Sequence, residues 1–358
     1  MNKELEIWQF AAEKLKRNEP VMLLIVAESS GSSPGRQGFK MVVAKDDLIG
    51  SIGGGVMEVR LVEQARLDIK DSELKAGSQI IKQIHRKNSL HQSGMICSGK
   101  QTVIRRKLTK DDLRVVQKII RHLKNNQQKY LQITENKFQT GRHKKSNQDF
   151  NFTVNNAHSA EARVNQVSDI VGEEILKPIQ KVTQIETDVS NIFAFLYEEK
   201  LGFKNKLYIV GGGHCALALS EIMSKMDFRI ALFDDRPDLN TLAKNVYVHE
   251  KNVIESYEKI DDYIPPGANH FVVVMTLGYQ SDEVVIRRLL DVKFKYFGVL
   301  GSLGKMATLL KNLKREGFSE EKLNRISTPI GLPINSRTPE EIAVSIAAEI
   351  IRVKNKIA

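Results

Sequence analysis

The stretch KLYIVGGGHCALAL, residues 206–219, restricts the fold of this chain more than any other. An apolar, strand-like run ends in three glycines and passes directly into a helical stripe. Gly211, Gly213 and Ala216 satisfy the G-x-G-x-x-G/A fingerprint of a dinucleotide-binding turn. The first position allows the tight turn, the second lets backbone approach a pyrophosphate, and the third permits close helix–strand contact. Free N–H groups at the helix start suit an anion. Asp234 ends the next strand, where an acid meets a ribose hydroxyl, and Arg236 close behind admits a 2′-phosphate. His214 and Cys215 fall at the helix start, where the dipole is expected to lower the pKa of both.

The residues beyond this turn keep the matching rhythm. After the strand at 206–211 and a helix with Leu219, Ile222, Met223 and Met226 on one face come RIALFDD (229–235), VYVH (246–249) and the wholly apolar FVVVMT (271–276). A helix over 281–292 and YFGVLGS (296–302) complete the series. Alternation of this kind predicts a doubly wound parallel sheet with helices on both faces. In the last helix Thr338 is the N-cap, Pro339 the first helical residue and Glu341 the other half of a capping box. Ile342, Ile346 and Ile350 form its inward stripe. The boundary falls in KLGFKNK (200–206), which places one domain at 1–200 and a Rossmann-like domain at 203–358.

The first half also reads as α/β. Helices are predicted at IWQFAAEKLKR, over 57–70 (Val59, Val62, Ala65, Ile69) and over 111–126. Strands are predicted at VMLLIVAES, QTVIRRKL and SNIFAFLYEE, with KMVVAKDDLIGSI as a hairpin-like pair turning at KDD. Residues 135–163 are polar and without periodicity, and read as an irregular excursion with room for a hairpin, rather than as a domain linker.

A second glycine triplet, Gly53-Gly54-Gly55, also joins a strand-like run to a helix. The sixth position of the fingerprint is here Glu58, too large for close helix–strand contact, and no strand ending in an acid follows at the required distance. The turn is therefore not a dinucleotide turn. It reads as a glycine-rich helix start able to wrap N–H groups around an anion, with Glu58 as a catalytic candidate or as a first-turn acid facing the helix dipole. Nearby SSGSSPGRQGFKMVV (29–43) contributes Ser33 and Arg36. SGMICSGKQTV (93–103) sets Cys97 in a glycine-flanked turn as a thiolate nucleophile, a metal-site ligand, a sulfur carrier or a buried structural thiol.

The formal net charge of +11 raises the question of nucleic acid. The basic residues are scattered, and no helix-turn-helix, RNP-like or zinc-finger pattern accompanies them, so no nucleic-acid partner is expected. Two cysteines without ligand spacing give neither a disulfide framework nor a metal site. Apolar runs stay far short of a bilayer span and the N-terminus lacks a secretory h-region, which predicts no membrane association and a cytoplasmic location.

Taken together, GSSPGRQGFKMVV (31–43), GSIGGGVMEVRLVEQA (50–65), GMICSGKQTV (94–103), LYIVGGGHCALAL (207–219), FDDRPD (233–238), GVLGSLGKMATLL (298–310) and TPIGLPINSRTPEEIAVSIAAEII (328–351) resemble the XdhC/CoxI family, accessory proteins of molybdenum hydroxylases. The resemblance spans nearly the whole chain. It implies an N-terminal XdhC/CoxI domain, a C-terminal Rossmann domain and a homodimer. It also implies transient binding of molybdenum cofactor while a cysteine desulfurase installs its sulfido ligand, then transfer to a xanthine dehydrogenase-type hydroxylase. In that role Cys97 would contact cofactor or sulfur. Gly53–Gly55, Glu58, Ser33 and Arg36 would shape the pocket, with Arg36 and the glycine turn at the phosphate of the pterin dithiolene. The chain departs from relatives at Cys97-Ser98-Gly99, where Cys-Gly-Gly is common. It departs again at Leu277, where a histidine often follows threonine, and at Leu303 and Gly304, where basic residues are frequent.

Two other classes fit parts of the sequence. An NAD(P)-dependent oxidoreductase would use Gly211, Gly213, His214, Ala216, Asp234 and Arg236 for its nucleotide, with His214 and Tyr279 as the nearby acid candidates. A molybdopterin nucleotidyltransferase would draw on Asp234 and Asp235, but no triphosphate loop with a lysine is present.

Overall fold

The computed structural model describes residues 3–71, 77–84, 99–142, 149–155 and 194–356. The chain divides into two compact units, one ending at Gly202 and the other beginning at Phe203.

The first unit runs α1 (Lys3–Lys16), β1 (Val21–Gly31), β2 (Lys40–Val43), β3 (Leu48–Gly50), α2 (Gly55–Lys70), β4 (Ser78–Ile84), β5 (Gly99–Leu108), α3 (Leu113–Lys124), β6 (Tyr130–Ile133), β7 (Phe138–Gly141), β8 (Phe150–Asn155) and β9 (Ala194–Lys200). Its strands form two antiparallel sheets, ordered β3-β2-β1-β5-β4 and β7-β6-β9-β8. Strand β1 is buried on both faces. Met22, Leu24 and Val26 pack with Leu61, Val62, Ala65 and Ile69 of α2. The alternate residues Val21, Leu23 and Ile25 pack with Trp8 and Leu15 of α1 and Val116 and Ile119 of α3. Two-sided burial is why the strand reads as an unbroken apolar run although its neighbours are antiparallel. Lys40 is buried between Glu199 (2.6 Å) and Glu4 (3.3 Å), which ties β2 to β9 and α1.

Three readings of this half change. The segment taken as irregular contains β7 and β8, whose Phe138, Phe150 and Phe152 supply the apolar face that its polar majority hides. Strand β4 has no counterpart in the sequence reading; its alternation is held by pairing with β5. Val59 points outward from α2, with 56% of its surface exposed, and Leu61 takes the inward position instead.

The second unit runs β10 (Asn205–Val210), α4 (His214–Ser224), β11 (Phe228–Asp234), α5 (Asn240–Lys244), β12 (Glu250–Val253), α6 (Ile260–Tyr263), β13 (Gly267–Val274), α7 (Tyr279–Leu289), β14 (Phe294–Val299), α8 (Leu303–Arg315), α9 (Glu320–Leu323), β15 (Ile326–Ser327) and α10 (Pro339–Lys354). The six strands are parallel in the order β12-β11-β10-β13-β14-β15. That is the doubly wound Rossmann order, with its switch point between β10 and β13. Leu207, Ile209, Ile230, Leu232, Phe271 and Val273 face α4 and α10. Their neighbours Tyr208, Val210, Ala231, Phe233, Val272 and Val274 face α6, α7 and α8.

The predicted capping box of α10 forms: the Thr338 hydroxyl accepts from the Glu341 N–H (3.2 Å), and Glu341 accepts from the Thr338 N–H (3.1 Å). The predicted strand at 246–249 does not. Asn245 is buried with its side-chain amide donating to Ser220 (3.0 Å), Val246 turns out to solvent, and the strand starts at Glu250. Helix α7 begins two residues before its expected start, and α8 begins at Leu303, inside the GSLG stretch, where no helix was expected. Among the described residues no helix is long and apolar enough to cross a membrane.

Candidate functional site

In the first unit the backbone enters α2 through three consecutive glycines with positive φ: 130° at Gly53, 77° at Gly54 and 73° at Gly55. Only glycine follows such a path without strain. Gly53 has a second constraint, since a Cβ there would lie 2.4 Å from the Gly35 nitrogen. At the start of β5, a Cβ on Gly99 would lie 2.4 Å from the Ser33 nitrogen. The loop 32–36 is thus pressed between two glycine backbones. Ser33 is buried beneath it and donates to Gln101 (2.9 Å), whose amide donates to Gln83 (2.7 Å). Arg36 is exposed on the same loop, with one guanidinium nitrogen donating to the Ser33 carbonyl (3.0 Å). The structure therefore brings Ser33, Arg36, Gly53, Gly54, Gly55 and Glu58 together; Cys97 lies outside the described residues.

The turn's donors are not open. One oxygen of Glu58 accepts from the Ser51 hydroxyl (2.7 Å) and from the N–H groups of Ile52 (2.8 Å) and Gly54 (2.9 Å). Partial burial works to raise its pKa, but these hydrogen bonds outweigh that cost and hold the carboxyl below its usual range. Glu58 is thus an anion supplied by the chain to its own glycine turn, which the helix-dipole argument only partly anticipated. The open ground beside it is the outer face of Gly54, where nothing lies within 4 Å of a Cβ position.

In the second unit Gly211 has φ 105°, and a Cβ there would lie 2.2 Å from the Met275 carbonyl, so β10 closes directly onto β13. Gly213 opens α4 without a side-chain cap, His214 is exposed and Ala216 is fully buried. Asp234 stands at the end of β11 as the fingerprint requires, but it is fully buried. It accepts from the Gly212 N–H (2.6 Å), the Arg236 N–H (2.9 Å) and the Arg236 guanidinium (2.7 and 2.8 Å). Burial again works to raise its pKa, but these donors, with the Arg236 guanidinium foremost, lower it on balance. Cys215 departs from expectation: burial, with the Glu340 carboxylate beside it, raises the thiol pKa, against the helix dipole. It is a packed side chain against the α4–α10 core and not an activated thiol.

One pair at the switch point escaped the sequence reading. The Asp282 carboxylate accepts from both the hydroxyl (2.6 Å) and the N–H (3.0 Å) of Thr276, closing the β13–α7 loop. Burial raises its pKa, against the pull of those two bonds and of the Lys305 charge. The available signal was a threonine at a strand end with an acid in the first turn of the next helix. Leu277, at the position of the family histidine, is 80% exposed. Among the described residues no group of three or more His, Cys, Asp or Glu is placed to hold a metal ion.

Comparison with known proteins places both units. Residues 207–350 match the XdhC Rossmann domain, and residues 15–74 match the XdhC and CoxI family. The chain is 30% identical over 158 residues to the uncharacterized protein YqeB of Escherichia coli (strain K12), covering 43% of this chain and 28% of that protein. It is 26% identical over 164 residues to a probable xanthine dehydrogenase subunit of Bacillus subtilis (strain 168), covering 46% and 47%. The matches thus span less than half the length of either relative. A crystal structure of a xanthine dehydrogenase from Bacillus halodurans shares the fold, with a TM-score of 0.67 at 20% identity over 99% of this chain and 97% of that one. The two family matches together span more than half of the sequence, and the chain belongs to the XdhC and CoxI family, with an XdhC Rossmann domain in its second unit.

Proposed function

We propose that this protein is an accessory factor for a xanthine dehydrogenase-type molybdenum hydroxylase. It takes molybdenum cofactor as cargo, holds it while a cysteine desulfurase supplies the sulfido ligand, and releases it to the hydroxylase. The observation that carries the reading is the loop 32–36. It is clamped between Gly53 and Gly99 and carries an exposed Arg36, while Gly54, next in the chain to Gly53, leaves its outer face open. A fixed backbone with an exposed cationic arm, anchored by one hydrogen bond to the Ser33 carbonyl, suits a cargo ending in a phosphate, because the arm's other donors close on the anion without reorganising the fold.

The fit is specific about which atoms are available. The Ile52 and Gly54 N–H groups already hold Glu58, so they are not the phosphate cradle. Arg36 and the outer face of Gly54 are the positions that would meet the anionic end, and Cys97 is the candidate contact for sulfur or metal. Glu58 keeps the turn in shape and lends it negative charge, which favours release over permanent retention.

Anaerobic binding of released molybdenum cofactor to the purified protein tests this. Stoichiometric retention by the wild type, a fall of about tenfold or more in Arg36→Ala, and loss of sulfuration in Cys97→Ala are the expected results. Retention that is the same in wild type and Arg36→Ala would remove the loop from the account. No retention by the wild type would end the cargo reading.

A further inference from the structure

The Rossmann unit carries a complete dinucleotide fingerprint, yet the residue that should read the ribose is already engaged. A carboxylate offers about four lone-pair positions. At Asp234 one oxygen accepts from the Gly212 N–H (2.6 Å) and a guanidinium nitrogen of Arg236 (2.7 Å). The other accepts from the Arg236 N–H (2.9 Å) and its Nε (2.8 Å). The side chain is fully buried under these donors. A ribose diol would have to bring two hydroxyl donors to the same oxygens, and no face of the carboxylate is left for them. The turn is fastened from its other side too: the Thr241 hydroxyl donates to the Gly212 carbonyl (2.5 Å), and Leu239 lies over Gly212.

Nor does the arginine present itself as a phosphate reader. Its Nε and one terminal nitrogen are committed to Asp234, and Asp235, exposed, stands 3.9 Å from the same Nε. Asp238 is exposed two residues further on. The FDDRPD segment sets two carboxylates, Asp234 and Asp235, against one guanidinium, a local balance that disfavours a 2′-phosphate dianion.

We propose that Arg236 is a latch that closes the adenosine-ribose position of this Rossmann unit, so that the resting protein takes neither NAD(H) nor NADP(H) there. The glycine fingerprint then serves the β10–β13 contact and the α4 start, and Asp234 serves the turn. Opening the position requires the guanidinium to leave, and its removal exposes a carboxylate already set at the end of β11. This inference concerns the second unit alone and stands or falls separately from cargo binding by the first.

Fluorescence titration of NADH and NADPH into the full chain tests it, using wild type, Arg236→Ala and Arg236→Met, the last keeping bulk without charge. The wild type is expected to show no saturation with either nucleotide up to about 1 mM. NADH binding is expected to tighten at least about tenfold in Arg236→Ala, and less in Arg236→Met. Saturable NADH binding by the wild type overturns the proposal, as does a folded Arg236→Ala that gains nothing. Wild-type NADPH binding that is lost in Arg236→Ala also overturns it, because the arginine would then be reading a 2′-phosphate. Should both variants fail to fold, amide exchange at Gly212 of the wild type answers the question. Protection unchanged by millimolar NADH supports the latch, and protection raised by NADH overturns it.

Discussion

Both glycine turns of this protein feed a helix, and in both a carboxylate of the chain itself holds the turn's N–H groups. They differ in where the carboxylate comes from and what balances it. Glu58 reaches back from the first turn of its own helix, stays partly exposed and shares its oxygen with Ser51. Asp234 comes from the following strand, is fully buried and is neutralised by Arg236. The first is a local closure that leaves net negative charge at the surface. The second is a tertiary closure that cancels its charge inside. Glycine count alone thus says that a tight turn exists, while the origin of the anion says whether the turn remains free to bind.

The comparison breaks most visibly at the buried carboxylate. Asp234→Ala removes the acceptor for four donors and leaves Arg236 without its partner, and should cost about 3–5 kcal/mol. Urea unfolding would read this as a lower midpoint, and a loss under about 1 kcal/mol would mean the network is dispensable. Gly53→Ala comes next. Its Cβ meets the Gly35 backbone, which cannot rotate away, at a φ that alanine resists. A loss of about 2–4 kcal/mol is expected, with Arg36 displaced in a crystal structure of the variant.

Glu58→Gln should cost less, about 1–2 kcal/mol, because a neutral amide oxygen still accepts but more weakly. Here the sign with pH is a sharper test than the size. The folded-state pKa of Glu58 is lowered, so its contribution is fully present above the unfolded value and is lost as pH falls through the folded one. Melting curves of wild type and Glu58→Gln should therefore differ at pH 7 and converge as the pH drops below the ordinary carboxylate range. A gap that widens in acid would contradict the assigned hydrogen bonds.

The smallest effect is the control. Gly213→Ala places a methyl in open space at φ −70°, and should change stability by no more than about 0.5 kcal/mol. If it also leaves cofactor retention unchanged, the second turn has no part in cargo binding. Its contrast with Gly53→Ala would show that two residues in like motifs are glycine for unlike reasons.

Much of the second unit was legible because its signals are local and redundant. Each βαβ step carries its own apolar strand, its own helical stripe and its own turn, and parallel strands buried on both faces cannot afford polar interruptions. The capping box of α10 is readable for the same reason, since all its partners lie within four residues. The first unit was less legible. Strands β4 and β8 derive their place from neighbours distant in sequence: β4 pairs with β5, and β8 pairs with β9 across a long separation, whereas β7 forms a short hairpin with β6 inside a polar stretch. Their own residues alternate too weakly to announce them. At 246–249 a strand-like composition lost to the burial of Asn245, a tertiary demand invisible to β-propensity.

The candidate sites divide in the same way. Sequence by itself determined that two glycine-rich helix starts exist, that one follows a Rossmann strand order and the other does not, and that Ser33, Arg36 and Glu58 belong to the neighbourhood of the first. The two helix starts follow from short-range rules of backbone sterics and periodicity, whereas the grouping of Ser33 and Arg36 with the first was implied by the family resemblance. Only the tertiary structure decided that Glu58 occupies its own turn, that Cys215 packs as a thiol, that Thr276 and Asp282 close the switch point, and that Arg236 covers Asp234. Each of these depends on which donors and charges arrive from elsewhere in the fold. A side chain's chemistry is set by that company and not by its own identity.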